Sequence, residues 1–404
     1  MNTSTARANR ASSSNRAMHR LRHKVKLCFI IPVALALLSC AQVNVPTPPL
    51  PQAPDASSPG APMPAALASP PRPSDIVLRP KSRWVPAAWS ELPGWNDDGL
   101  DQAWPALLRS CLRPHPAFAA LCPDIRQLAQ ADPAEQRRWM MERLQPFSVQ
   151  ELNGASEGLL TSYFEPVLEA RRQRSASHSV ALHRPPADLA SRRPWYTRQE
   201  IDTLESARAA LSGREIAWLS DPLDAMVLHI QGSGRLLLTE PDGAQRQVRV
   251  AFAGSNEQPY RSINQWLLEQ GVQRINPWPD ATKAWAAQNP QRLNQLLWSN
   301  PRYIFFTEES ITAPDEGPRG AQGVPLSAGR SIAVDPGSIP YGAPVWLASK
   351  GPAISLQRLV MAQDTGSAIV GAVRADYFAG TGPRAGELAS KVKQRLQLWV
   401  LWPR

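Results

Sequence analysis

Residues 361–382 read MAQDTGSAIVGAVRADYFAGTG, and how this stretch is taken decides what kind of molecule the chain makes. An apolar run ends in Asp364 as a strand would, and Gly-rich sequence follows up to Arg374 and Asp376. No histidine or cysteine lies near the two aspartates, and the only nearby glutamate is Glu387. If residues 374–376 are extended, the side chains of Arg374 and Asp376 point the same way. The cation would then hold the carboxyl down, whereas Tyr377 and Phe378 beside it favour desolvation and a raised pKa. Arg374 is expected to pair elsewhere, with Asp364 as the candidate.

The flanking sequence keeps the same texture. From about 301 onward, RYIFFTE, RSIAVDP, APVWLA, LQRLVMAQD and RLQLWVLWP read as short strands, interrupted by one helix near 384–393. Strands spaced this regularly suggest a small β-barrel. Upstream, GLLTSYFEPVLEARR has a Pro break. DAMVLHIQGSGRLLLTEPDGAQRQVRVAFAG reads as strand, GSG turn, strand, Pro-Asp-Gly turn, strand. Helices are expected around 262–270 and 281–297. Residues 84–155 read as largely helical, with apolar residues at three- and four-residue spacing. Asp132-Pro133 is a helix start there.

The chain begins differently. Arg16, Arg20, Arg22, Lys24 and Lys26 precede the apolar run LCFIIPVALALLSC, which is short for a membrane span. Its end, Leu37-Leu38-Ser39-Cys40, resembles the lipobox of bacterial lipoproteins. That implies cleavage before Cys40, lipidation of its thiol and, with Ala41 following, sorting to the outer membrane. Met18 is an alternative start. Residues 1–39 carry seven Arg/Lys and no acid, so the formal charge of +10 falls to +3 without them. The basicity belongs to the leader, and nucleic acid is not an expected partner. Residues 46–73, rich in Pro, Ala and Ser, read as an extended tether of ~3 Å per residue.

The reactive inventory is sparse. Of the four cysteines, Cys111 and Cys122 remain beyond the leader and Cys40. A disulfide between them is expected, with two small buried apolar thiols as the alternative. No cysteine or histidine spacing suggests a metal site. His115, His178, His183 and His229 are the remaining histidines, and no GxSxG surrounds a serine, so triad chemistry is not expected. His229 reads as a structural residue in an apolar strand. GSG at 232–234 and GTGPRAG at 380–386 lack a dinucleotide fingerprint and read as turns. Carboxylates remain. Asp335, in VDPGSIPYG, reads as a turn-former. Asp364 reads equally as turn or site, and Asp376 is the least turn-like. A carboxylic acid kept protonated can donate to a leaving-group oxygen, as in glycoside cleavage.

AVDPGSIPYGAPVWL, MAQDTGSAIVGAVRADYFAGTG and the terminal LWVLWP look like the three-aspartate domain of bacterial lytic murein transglycosylases. Its aspartates map to Asp335, Asp364 and Asp376. Upstream, GLLTSYFEPVLEARR, IQGSGRLLL, PYRSINQWLLEQG, NPRYIFF and GAQGVPLSAGRSIAVDP resemble, in order, motifs of the membrane-bound lytic murein transglycosylase A family. The resemblance runs from about 155 to the end. It implies a mainly β chain with some helix: a double-psi β-barrel, an inserted second β-rich domain and a glycan groove between them. The expected division is 1–39 signal peptide, 40–75 lipidated Cys and linker, 76–157 helical part packing on the barrel, 158–300 inserted domain and 301–404 barrel.

The implied reaction is cleavage of the β-1,4 bond between N-acetylmuramic acid and N-acetylglucosamine without water, forming 1,6-anhydromuramic acid. No cofactor or metal is implied. Asp376 matches the family's acid/base, and an ionised Asp364 could stabilise the transition state. Asp335, Thr161, Tyr163, Glu165, Gln231, Gly232, Ser233, Gly234 and Tyr260 are the expected substrate-binding residues. Ser162 and Phe164 stand where the family more often has Gly and Tyr. Expected partners are peptidoglycan strands, the outer membrane through the lipid anchor, and cell-wall enzyme complexes. Two alternatives stand beside this reading: a non-catalytic expansin-like glycan-binding protein, and a hydrolytic muramidase using Asp364 or Glu165 as second carboxylate.

Overall fold

The computed structural model describes residues 75–273 and 277–404. The leader, Cys40 and nearly all of the tether lie outside them. Two sheets carry the chain, one of nine strands and one of six.

The nine-stranded sheet folds back on itself. Six of its strands form a nearly closed ring, in the order Lys393–Pro403, Pro344–Lys350, Ser355–Asp364, Ser331–Val334, Arg374–Thr381 and Gly158–Glu165. The long last strand closes it. Its first residues pair with Gly158–Glu165, its middle with Pro344–Lys350, and its end with Leu144–Gln150. Apolar residues fill this barrel and the space under the helices that cover it. Trp346, Leu359, Val360, Val345 and Leu398 are all at most 1% exposed. Trp84, Trp104 and Trp346 are buried. The helices Leu100–Ser110 and Pro133–Arg143 belong to this layer. Buried polar contacts fix it: Arg330 forms an ion pair with Asp98 at 2.7 Å, and Gln363 Nε2 donates to the Ala106 carbonyl at 2.8 Å. Cys111 and Cys122 are disulfide-bonded. Residues 84–155 are less helical than expected, since Arg83–Pro86 and Leu144–Gln150 are strands of the same sheet.

The six-stranded sheet runs Ile304–Ser310, Gln245–Ser255, Gly234–Thr239, Val167–Arg171, Glu215–Leu219, Val180–His183. The chain crosses to it at Pro166 and leaves after Ser310, so strand Gly158–Glu165 belongs to the barrel and Ile304–Ser310 to the second sheet.

One expected strand is a helix. Residues Pro222–Gln231 are α-helical, with Asp221 capping the first turn, Pro222 at its first position and Gly232 closing it at φ 82°. The misreading has a physical cause. Leu228 and Ala225 pack on the six-stranded sheet, while Leu223 and Met226 pack on the helices Ile263–Glu269 and Leu293–Trp298. A helix buried all round shows no polar stripe, and periodicity cannot separate it from a buried strand. Helices Arg198–Thr203 and Glu205–Leu211 were not anticipated either. The architecture is therefore mixed α/β rather than mainly β. Among the described residues, no helix is long and apolar enough to cross a membrane.

Candidate active site

Strand register assembles the aspartates. Ala333, on the short strand Ser331–Val334, faces Asp364 on one neighbour and Asp376 on the other. Asp376 in turn faces Thr161. Four residues from three distant parts of the sequence thus form one row across the barrel, and residues in register share a face. With strands about 4.8 Å apart, the two aspartate backbones stand roughly 10 Å from each other. Ala333 between them has no side chain beyond Cβ and leaves the space open.

This row lines a cavity of 330 Å³, together with Tyr163, Gln231, Tyr260, Arg302 and Trp278. Barrel strands supply one part of the wall, and the end of the helix Pro222–Gln231 with the segments around Tyr260, Trp278 and Arg302 supplies much of the rest. Thr161 and Tyr163 alternate with Ser162 on one strand, which brings both onto the cavity face.

Each carboxylate has its own environment. The Thr161 hydroxyl donates to Asp376 Oδ1. Thr161 Oγ1 itself accepts from Arg374 Nη2 at 2.7 Å. Arg374 also reaches the Leu159 carbonyl at 3.3 Å and the carbonyl of Ala375. Arg374 and Asp376 do share a face, but Thr161 stands between them and orients its proton toward Asp376. The expected pairing of Arg374 with Asp364 is not what the chain makes: the guanidinium finds Thr161 and backbone carbonyls nearer. Burial pushes the Asp376 carboxyl above its usual value, against the lowering effects of Thr161 and Arg374. Asp364 Oδ2 accepts from the Tyr163 hydroxyl at 2.7 Å, and Oδ1 from the Ala321 N–H at 2.9 Å. Burial raises Asp364 to about 6 despite these bonds, with the negative charge of Asp376 a smaller cause.

Other expected contacts sit elsewhere. Asp335 uses both oxygens on backbone, accepting from Gly337 N and Gly371 N at 2.9 Å each, and does not line the cavity. It is the turn-former its local sequence suggested. Glu165 is 0% exposed and accepts from Arg235 Nε at 2.8 Å, Arg249 Nε at 2.6 Å and Thr381 Oγ1 at 2.7 Å. Its carboxylate is spent on an internal ion cluster, which removes it as a sugar contact and as a second catalytic carboxylate. Gly232, Ser233 and Gly234 form a helix cap leading into a strand, not a hairpin, and do not line the cavity. A Cβ on Gly234 would meet Leu228 Cδ1 at 2.5 Å, so any larger residue would displace that buried side chain. Of that motif only Gln231 reaches the cavity wall, with its Oε1 accepting from Phe164 N at 3.0 Å.

Ala333, Arg302, Trp278 and His229 line the cavity, where the sequence alone did not place them. Ala333 has no chemistry to flag it, and only pairing register reveals its place. His229 was set aside as a strand residue. On its helix it accepts, at Nδ1, from Arg198 Nη2 at 2.8 Å, and burial holds its pKa well below the usual value.

The chain is similar to known proteins along most of its described length. Residues 159–307 match the MltA specific insert domain, and residues 330–402 match the 3D domain. The lytic transglycosylase LtgG of Burkholderia pseudomallei is 40% identical, over 84% of this chain and 99% of that one, with a TM-score of 0.55. The crystal structure of MltA from Neisseria gonorrhoeae is 30% identical over 84% and 98%, with a TM-score of 0.67. A membrane-bound lytic murein transglycosylase A of Vibrio cholerae is 30% identical over 256 residues. That match covers 60% of this chain and 65% of the Vibrio protein, a little under two thirds of its length.

Proposed function

The chain belongs to the MltA family, and from that premise we propose that it is a lytic transglycosylase of peptidoglycan. It cleaves the β-1,4 bond between N-acetylmuramic acid and N-acetylglucosamine, with formation of 1,6-anhydromuramic acid. The observation that carries the reading is Asp376: a carboxyl raised by burial, held at one oxygen, in the wall of an open cavity. Thr161 occupies Oδ1. Oδ2 is then the oxygen that carries the transferable proton.

The steps balance with one acid. Asp376 protonates the bridging oxygen as the bond from the muramoyl anomeric carbon to that oxygen breaks. The positive charge that develops on the sugar ring lies in a cavity shared with Asp364, which, at about 6, is ionised at neutral pH. The muramoyl 6-hydroxyl then closes on the anomeric carbon, and Asp376 takes its proton and is acid again. An intramolecular hydroxyl already stands near the reacting carbon, so no second carboxylate is needed to activate water. Thr161 and Arg374 position Asp376, and Tyr163 positions Asp364. Gln231 and Tyr260 are the sugar contacts.

The finer architecture we infer is a double-psi barrel, interrupted by the inserted sheet, with the glycan lying in the cleft where both meet. A lipid on Cys40 and the Pro-rich tether would hold this domain at the outer membrane, within reach of the wall and of cell-wall enzyme complexes. Mass spectrometry of digested peptidoglycan tests the reaction. Anhydromuropeptides are expected. Reducing-end muropeptides would mean hydrolysis, with Asp364 serving the water, and no products at all would mean a binding protein.

A further inference from the structure

A second cavity, of 580 Å³, lies on the six-stranded sheet's side of His229, which lines both cavities. Three guanidiniums line it, those of Arg174, Arg198 and Arg208. Arg198 is only 6% exposed, yet it forms no ion pair among the described residues. Its Nε donates to the Asn300 carbonyl, and its Nη2 to His229 Nδ1 and the Arg302 carbonyl. Arginine can only donate, so His229 Nδ1 accepts and the neutral ring carries its proton on Nε2. That Nε2 is buried and has no partner among the described residues.

A buried cation with no direct ion pair, reached only at longer range by Asp202, and a buried N–H without an acceptor each cost stability. Here both are in the wall of one cavity, and a ligand anion would relieve both. Arg174 and Arg208 are exposed at the same cavity, Arg174 with its guanidinium 5.8 Å from the Trp218 ring centre. Two acids, Asp202 and Glu215, also line it, and Asp202 accepts from Trp298 Nε1 at 2.7 Å. The wall thus suits a ligand with more than one carboxylate and with an amino group as well. It also adjoins the aspartate cavity, because Asn300 and Arg302, whose carbonyls Arg198 holds, line that one. A glycan strand in the first cavity with a short charged arm directed at the second would meet both sets of residues. Muramoyl residues carry such an arm, an acidic peptide, beside the bond proposed for cleavage.

We propose that this second cavity binds the acidic peptide stem of the glycan strand, with its carboxylates on Arg174, Arg198 and Arg208. The proposal rests on the reading of peptidoglycan as substrate, and the test separates the two. Cleavage is compared on strands carrying tetrapeptide stems and on the same strands stripped of stems by an amidase. The intact chain is expected to prefer stem-bearing strands about tenfold in kcat/KM, the worth of roughly one charge-assisted hydrogen bond. In the Arg174→Ala, Arg208→Ala double variant, both positions being exposed, that preference is expected to collapse toward parity. Equal cleavage of both strands by the unaltered chain, or an undiminished preference in the variant, would overturn the proposal. Calorimetric titration with the free disaccharide-tetrapeptide reads binding without cleavage. Binding that the double variant weakens supports the stem site even where no strand is cut, and binding that it leaves unchanged sinks it.

Discussion

Thr161 is the residue on which the behaviour of Asp376 turns. It accepts from Arg374 and donates to Asp376, so it passes orientation from the cation without placing the charge against the carboxyl. Thr161→Val is expected to lower kcat roughly tenfold to a hundredfold with little change in KM, since a hydrogen bond to a charged group contributes about 1.5–3 kcal/mol. The pH profile should move as well. An acid that must be protonated loses activity as pH rises through its pKa. The Thr161 bond lowers that pKa, so the falling limb in Thr161→Val should shift to higher pH; a shift downward would contradict the geometry. Asp364 gives a stability test. Its folded pKa is raised from 3.8 to about 6. Its favourable contribution is therefore complete below about pH 4 and lost as pH rises through 6. Asp364→Asn, which stays neutral, should melt higher than the unaltered chain at pH 8, by up to about 3 kcal/mol less whatever water screens at the cavity mouth, and the gap should close by pH 4. Sequence alone showed which aspartates to examine, because MAQDTGSA and RADYFAG differ in turn character. It did not show what Arg374 touches, because Thr161 lies more than two hundred residues away along the chain.

Strands and turns explain why two expected contacts are structural. Asp335 ties the turn after Ser331–Val334 to Gly371, and asparagine keeps only one acceptor oxygen for two N–H donors. Asp335→Asn is expected to cost about 1–3 kcal/mol of stability, read as a lower Tm, while the folded fraction still cleaves. Glu165 closes the strand that leaves the barrel for the second sheet, and it neutralises Arg235 and Arg249, which are 5% and 6% exposed. Glu165→Gln should destabilise by about 3–5 kcal/mol, because two buried guanidiniums lose their counter-charge. A well-folded Glu165→Gln protein with lost activity would instead return Glu165 to the site. Most strands of the tail were legible, since alternation and turn residues mark them: LQRLVMAQD became Ser355–Asp364, and RLQLWVLWP fell within Lys393–Pro403. The helix Pro222–Gln231 was not, because apolar packing on both sides erased its period. Its Asp-Pro start and Gly end were the signals that could have identified it.

The barrel, the second sheet and the cavity at the barrel's wall follow from pairings that only the folded chain displays. Strand Gly158–Glu165 joins Arg374–Thr381 in parallel, and this single pairing brings Thr161 beside Asp376. Family motifs in their order pointed to a cleft lined by those segments, but composition and periodicity alone did not place it. The arrangement gives the proposed enzyme one proton-transferring carboxyl and a substrate that supplies its own nucleophile. The most direct test replaces that carboxyl. Asp376→Asn keeps the size, the strand and an acceptor for Thr161, and removes only the proton that cleavage needs. Glycan binding to this variant should be retained, while release of anhydromuropeptides falls by about a thousandfold or more, toward the upper range of general acid–base contributions. An Asp376→Asn protein that binds glycan and still releases anhydromuropeptides at the original rate would contradict the account.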